Sequence, residues 1–275
     1  MKQEPLAQQK YGPVSEGPQA WIFHGILGSK QNWAKIAREL SAVAPDWIIR
    51  TVDLPCHGDS AFTHPPYSLS SCVRALTELE EVCGIPSVVI GHSFGGKVAL
   101  CYGADRVNRG QPLQSLWTLD SPLGSNKLPS QGEVAKVISA CLELTMPIHS
   151  RKELVEYFQS RGFARGIGQW LTTNLKRSET GFDWRFNLQG IKALLDDYWR
   201  VDAWNLLEDL SKETHVTLLK AEQGLRWTTE AEERIQNDFP QIDTPILSNS
   251  GHWVHVDQPK ALIEMLRTTL IKGTV

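Results

Sequence analysis

The chain has few cysteines, and none is arranged to build a framework. Its 275 residues include five, Cys56, Cys72, Cys83, Cys101 and Cys141, with no C-x-x-C pair. That odd number and scattered spacing argue against a disulfide scaffold and a zinc ribbon, and fit a reducing compartment. No stretch approaches the roughly 20 apolar residues of a bilayer span. The opening MKQEPLAQQKYG has no apolar centre of the kind a secretion signal carries. A soluble, cytoplasmic protein is expected. Charge of one sign is also missing: 28 Lys and Arg stand against 31 Asp and Glu, for a formal net charge of −3. Neither nucleic acid nor an anionic membrane surface is therefore an expected partner. There is no internal repeat and no low-complexity tract.

What is present is an ordinary globular balance, 41% hydrophobic and 21% charged, enough for one large domain or for a core with an insertion. The ten tryptophans are conspicuous. Trp170, Trp184, Trp199, Trp204 and Trp227 cluster in the second half, where they serve either core packing or the wall of an apolar pocket.

Short apolar runs alternate with helical periodicity through the first half. Strands are expected at Ala20–Phe23, Trp47–Leu54, Ser87–Ile90 and Ser115–Leu119. Between them, Asn32–Val43 and Leu69–Val82 have helical spacing, and another helix follows Gly96. Such alternation implies βαβ units and a mostly parallel sheet covered on both faces, an α/β fold. From about Asn126 to about Leu210 only helix-like runs occur, at Glu133–Leu144, Lys152–Arg161, Ile167–Leu175 and Gln189–Asp197. Strand signals return at His215–Leu219 and Thr244–Leu247, with helices at Thr229–Asn237 and Pro259–Ile271. The expected organisation is a first half-core over 1–125, a helical cap insertion over 126–210 and a second half-core over 211–275.

The segment SVVIGHSFGGKVALC, Ser87–Cys101, joins a strand to a helix through glycines. Gly91 to Lys97 has the spacing of a phosphate-binding loop, but position 98 is Val98, which has no hydroxyl for a magnesium ion. Gly91-His92-Ser93-Phe94-Gly95 is also G-x-S-x-G, a nucleophile elbow, and this reading accounts for every residue. Small residues at 91, 95 and 96 permit the sharp turn, Ser93 is lifted above the sheet, and the Phe94 N–H at the helix start faces a developing oxyanion. Lys97 is expected to be a solvated helix residue.

A serine hydroxyl needs a histidine to take its proton. Elbow-bearing hydrolases place that histidine late, after the acid. Ser250-Gly251-His252-Trp253-Val254-His255 follows the last expected strand; His252 is the expected base and His255 a structural neighbour. A second oxyanion donor is sought in Phe23-His24-Gly25-Ile26-Leu27-Gly28-Ser29, where Gly25 permits close approach and the Ile26 N–H is the candidate. His24, which comes too early in the chain to be the base, is expected to organise that loop. His24, Gly25, Leu27, His92 and Trp253 are expected beside the substrate. Cys56, His57 and Asp59 are too few and too awkwardly spaced for a metal, and no metal or cofactor is expected.

HGILGS, VDLPCHGDS, VIGHSFGGK and SGHWVH, in that order, resemble the α/β-hydrolase superfamily. Within it, HG-x-LGS, HGDS and Asp183-Trp184-Arg185-Phe186-Asn187-Leu188 are similar to small abhydrolase-type serine esterases, bacterial and mitochondrial. The resemblance implies an α/β-hydrolase fold with an eight-stranded core and a helical cap, and cofactor-free ester hydrolysis through an acyl-enzyme. Short to medium acyl esters are the expected substrates. The same fold and serine–histidine–acid set also serve C–C bond hydrolysis, menaquinone-pathway-like lyase chemistry, cofactor-free haloperoxidases and weakly catalytic ligand receptors. About 18 residues precede the first clear strand, so the usual leading hairpin is expected to be short or missing. Two carboxylates compete to orient His252. Asp120, in Leu119-Asp120-Ser121-Pro122, stands where the similar esterases carry an IDISP-like segment, and it is preferred. Glu222, after the next strand, matches the commoner placement in the superfamily and is the alternative. Asp53 is expected to brace its loop. The sequence leaves the oligomeric state open.

Overall fold

The computed structural model describes residues 4–60, 64–125 and 132–272. The expected cap start at 126 lies outside them.

Seven strands form one sheet. They are β1 (Gln8–Tyr11), β2 (Gln19–Phe23), β3 (Ile48–Val52), β4 (Val88–His92), β5 (Ser115–Leu119) and, after an insertion, two more that return to the same sheet. The insertion carries a separate hairpin, β6 (Leu175–Arg177) and β7 (Phe182–Trp184), and the returning strands are β8 (His215–Ala221) and β9 (Ile246–Leu247). The order across the sheet is β1-β3-β2-β4-β5-β8-β9. All pairings are parallel except β1 with β3. The central strands β2, β4 and β5 are buried along their whole length, as a sheet covered on both faces requires.

Two apolar clusters fill the two faces. On one face, α1 (Ala34–Val43) and the C-terminal helix (Pro259–Lys272) pack Ile36, Leu40, Leu262 and Leu266 against Ile22, Ile49, Ile90 and Leu119. On the other, α2 (Leu69–Cys83) and α3 (Phe94–Asn108) cover Trp21, Phe23, Val89 and Leu116. Ser68 caps α2 by accepting from the Ser71 N–H.

Between β5 and β8 the chain forms α4 (Glu133–Glu143), α5 (Arg151–Ser160), α6 (Arg165–Leu171), the β6–β7 hairpin, α7 (Leu188–Arg200) and α8 (Trp204–Glu213). The helix α8 packs on α3 and β8. After β8 come α9 (Thr229–Asp238), a short α10 (Val254–Asp257) and α11, the C-terminal helix already placed.

Two expectations differ from the structure, the make-up of the insertion and the strand count. The insertion is not purely helical, because Leu175–Arg177 pairs antiparallel with Phe182–Trp184. The leading edge is short, as expected: a single four-residue strand, Gln8–Tyr11, pairs antiparallel with β3. The sheet has seven strands among the described residues rather than eight.

Candidate active site

The C-terminal ends of β2, β4, β5 and β8 bring the candidate residues together. Ser93 follows β4 directly and has φ 53°, ψ −115°, a left-handed backbone disfavoured for a residue with a Cβ. The glycines around it are required by contact rather than by φ. A Cβ on Gly91 would stand 2.2 Å from the Gly95 carbonyl oxygen, and one on Gly95 would stand 2.5 Å from that of His24. A Cβ on Gly25 would lie 3.5 Å from the Ser93 Cβ and 3.1 Å from His92 Nδ1, so the Phe23–Ser29 loop lies directly against the serine. The Phe94 N–H begins α3 and the Ile26 N–H lies in that loop. Among the described residues neither is committed to a backbone or side-chain acceptor.

Asp120 ends β5, fully buried, with φ 47°. Its Oδ2 accepts from His252 Nδ1 at 2.6 Å, and its Oδ1 lies 3.4 Å from the Ala221 N–H. That bond places the His252 proton on Nδ1 and leaves Nε2 as an acceptor. Glu222, the other candidate acid, accepts from the Asn249 N–H at 2.7 Å and belongs to the exposed rim. His92 Nε2 donates to the His252 carbonyl at 2.8 Å, tying the histidine loop to the elbow. Ser121 Oγ donates to the Ser93 carbonyl at 2.7 Å.

Ser93 and His252 line one cavity of about 150 Å³. His24, Gly25, Leu27, His92 and Trp253 all lie along it, as does Ile26. Trp170, one of the tryptophans expected in a core or a pocket wall, also lines it. Several other lining residues are not marked in the sequence: Val134, Val137 and Ile167 come from the insertion, and Trp33, His255 and Arg226 from the core. Trp170 meets Trp253 edge to face at 4.9 Å. Trp170 thus serves the pocket wall, while Trp204 is buried in the core. His255 stacks on Trp33 at 4.4 Å and makes no bond to Asp120.

Two imidazoles hold the loops below the cavity. His24 donates from Nδ1 to the Gly25 carbonyl and accepts at Nε2 from the Leu54 N–H. His57 donates from Nδ1 to the Pro55 carbonyl and accepts at Nε2 from the Leu27 N–H. Asp53 accepts from the buried Lys30 ammonium at 2.6 Å and from the Lys30 and Asp59 N–H groups, which is loop bracing. From the insertion, the buried Asn174 donates to the Leu27 carbonyl at 2.7 Å. Nothing in the sequence marked Asn174, because its partner lies 147 positions away. Among the described residues no group of three or more His, Cys, Asp or Glu is placed to hold a metal ion.

Lys97 is the clearest departure from expectation. It is fully buried, and its ammonium donates to the carbonyls of Gly124, Tyr198 and Val201, each at 3.0 Å. It also lies 4.3 Å from the centre of the Tyr198 ring. Gly124 is on the segment leaving the sheet, and Tyr198 and Val201 are on the segment returning to it. Burial pushes the Lys97 pKa down to about 8, with Cys101 and Asp202 opposing.

Burial dominates the buried histidines as well. It lowers His24 to about 4, His57 to about 3 and His255 to about 4. Protonating His24 or His57 also destroys the Nε2 acceptor that its loop uses. All three pKa values lie below the unfolded value of 6.5. The unfolded chain therefore binds more protons at acid pH, and stability is lost as pH falls from about 6.5 toward 3. At about 1.4 kcal/mol per pH unit per group, the loss matches a typical stability of about 5–15 kcal/mol. Near-ultraviolet circular dichroism is expected to show cooperative unfolding with a midpoint of about pH 4–5; an unchanged spectrum down to pH 3 would contradict this.

The profile of the alpha/beta hydrolase family matches residues 22–265. The chain belongs to that family. The hydrolase is 28% identical over 269 residues to the mouse (Mus musculus) protein named sn-1-specific diacylglycerol lipase ABHD11, covering 92% of this chain and 81% of that one. It is 25% identical over 251 residues to esterase YbfF of Escherichia coli (strain K12), covering 90% and 91%. Among solved structures, a marine microorganism esterase superposes with a TM-score of 0.79 at 24% identity, covering 96% of this chain and 99% of that one. No helix among the described residues of the hydrolase is long and apolar enough to cross a membrane.

Proposed function

We propose that this hydrolase cleaves carboxylic esters through an acyl-enzyme on Ser93. The observation that carries the reading is the 2.6 Å bond from His252 Nδ1 to the buried Asp120, beside a cavity that also contains Ser93. His252 Nε2 takes the Ser93 proton as Oγ attacks the acyl carbonyl. The Ile26 and Phe94 N–H groups receive the negative oxygen, a contribution worth about 10²–10³ in rate per donor. His252 then protonates the departing alcohol. Water, deprotonated in turn by His252, attacks the acyl carbon, and Ser93 is released. Esterase and lipase relatives support the reaction class. The small, largely apolar cavity supports acyl groups of a few carbons; a cavity of about this size holds a benzene-sized group. The boundaries proposed for the half-cores and cap remain 1–125, 126–210 and 211–275.

The test combines a fluorophosphonate probe with p-nitrophenyl esters of increasing chain length. Stoichiometric labelling mapped to the peptide containing Ser93, with turnover falling as the acyl chain lengthens, is the expected result. A probe that labels no serine, or labels elsewhere, would refute the nucleophile.

A further inference from the structure

Arg226 lines the same cavity as Ser93 and His252 and also borders a neighbouring groove beside Trp199, Trp204 and Trp227. It is partly buried, yet among the described residues it has no ion pair and no hydrogen bond. The other arginines in that position, Arg38, Arg74, Arg151, Arg165, Arg177 and Arg200, are all exposed, so water satisfies them. Every Asp and Glu of the chain lies within the described residues, so no acidic partner for Arg226 is hidden. The cavity has one acidic wall residue, Glu133, which is exposed at its mouth and not paired with Arg226. A guanidinium held partly out of water with five donors uncommitted is matched by a planar oxyanion.

Its loop is firmly placed. Gln223 N–H donates to the Ser250 carbonyl and Gly224 N–H to that of Ala221. A Cβ on Gly224 would stand 2.7 Å from Asp120 Oδ1, so the chain two residues before Arg226 lies against the acid that holds His252. The charge of Arg226 reaches into the cavity, where it adds to the effects of burial, His252 and His255 that keep the His92 pKa low.

We infer that Arg226 binds a carboxylate carried by the substrate, so that the hydrolase prefers acidic esters to neutral esters of the same size. This rests on the proposed ester hydrolysis and adds its substrate class. The test compares two acidic esters, each with a neutral match of similar size: mono-p-nitrophenyl glutarate (carboxylate on the acyl side) against p-nitrophenyl hexanoate, and the butyrate ester of 4-hydroxybenzoate (carboxylate on the alcohol side) against p-nitrophenyl butyrate. The wild-type enzyme is expected to favour one of the acidic esters over its neutral match by about 10-fold or more in kcat/KM. Whichever is favoured tells which side of the scissile bond faces Arg226. In Arg226→Gln that ratio is expected to fall by about 10–100-fold, mainly through KM, with Arg226→Lys recovering part of it. A ratio unchanged in Arg226→Gln, or a wild-type enzyme that disfavours both acidic esters, would overturn the inference. Failure of the fluorophosphonate to label Ser93 would instead strike the underlying hydrolysis.

Discussion

Ser93→Ala is expected to lower kcat for p-nitrophenyl ester hydrolysis by about 10⁶, without changing the fold. The substitution removes one oxygen, which among the described residues bonds to no protein group, while the Ser93 N–H and carbonyl stay bonded to Leu119 and Ser121. Circular dichroism and the thermal midpoint should match the wild type. A small residual rate is expected, because the Ile26 and Phe94 N–H groups and the cavity remain to hold the ester. Active-site titration with the fluorophosphonate guards against contaminating wild-type enzyme. A variant that keeps a tenth of the activity would show that some other group attacks the carbonyl.

Asp120→Asn is expected to cost about 10⁴ in kcat with little change in KM. The wild-type carboxylate accepts the Nδ1 proton of His252. An asparagine there can turn its NH₂ toward Nδ1, which must then become the acceptor. The imidazole proton moves to Nε2, the nitrogen that should receive the serine proton, and the base is lost while the packing is kept. Glu222→Gln is the paired control. Among the described residues the Glu222 carboxylate bonds only to the Asn249 N–H on the rim, and its variant should stay within about twofold of wild type, as surface substitutions generally do. The reverse pattern, a crippled Glu222→Gln beside an active Asp120→Asn, would reassign the acid.

The competition between those two carboxylates marks where the sequence stops being readable. Asp120 and Glu222 follow neighbouring parallel strands paired Leu119 with Leu219, so both sit at the same sheet edge with similar sequence credentials. What separates them is backbone. Asp120 turns left-handed at φ 47° and carries its carboxylate under His252, and no propensity scale reports that. The alternation of strands and helices was plain because buried parallel strands are continuous apolar runs. The β6–β7 hairpin and β1 were not, because three or four residues are too few to show a period, and β1 and β6 are mostly polar besides. Lys97 departs from the sequence expectation because a lysine on a helix is normally solvated. Its three acceptors lie 27, 101 and 104 positions away, and only the fold assembles them.

The backbone angles at Ser93 also restrict which atom could fill the nucleophile's role proposed for it. A side chain branched at Cβ is poorly accommodated at positive φ, so threonine, chemically the nearest alcohol, is a poor substitute at this corner. Cysteine keeps an unbranched stem and fits. The choice open to evolution or to an engineer at position 93 is thus oxygen or sulfur on a single methylene. Conversion to a thiol enzyme is within reach by one substitution, whereas conversion to a threonine enzyme would require rebuilding the bend itself.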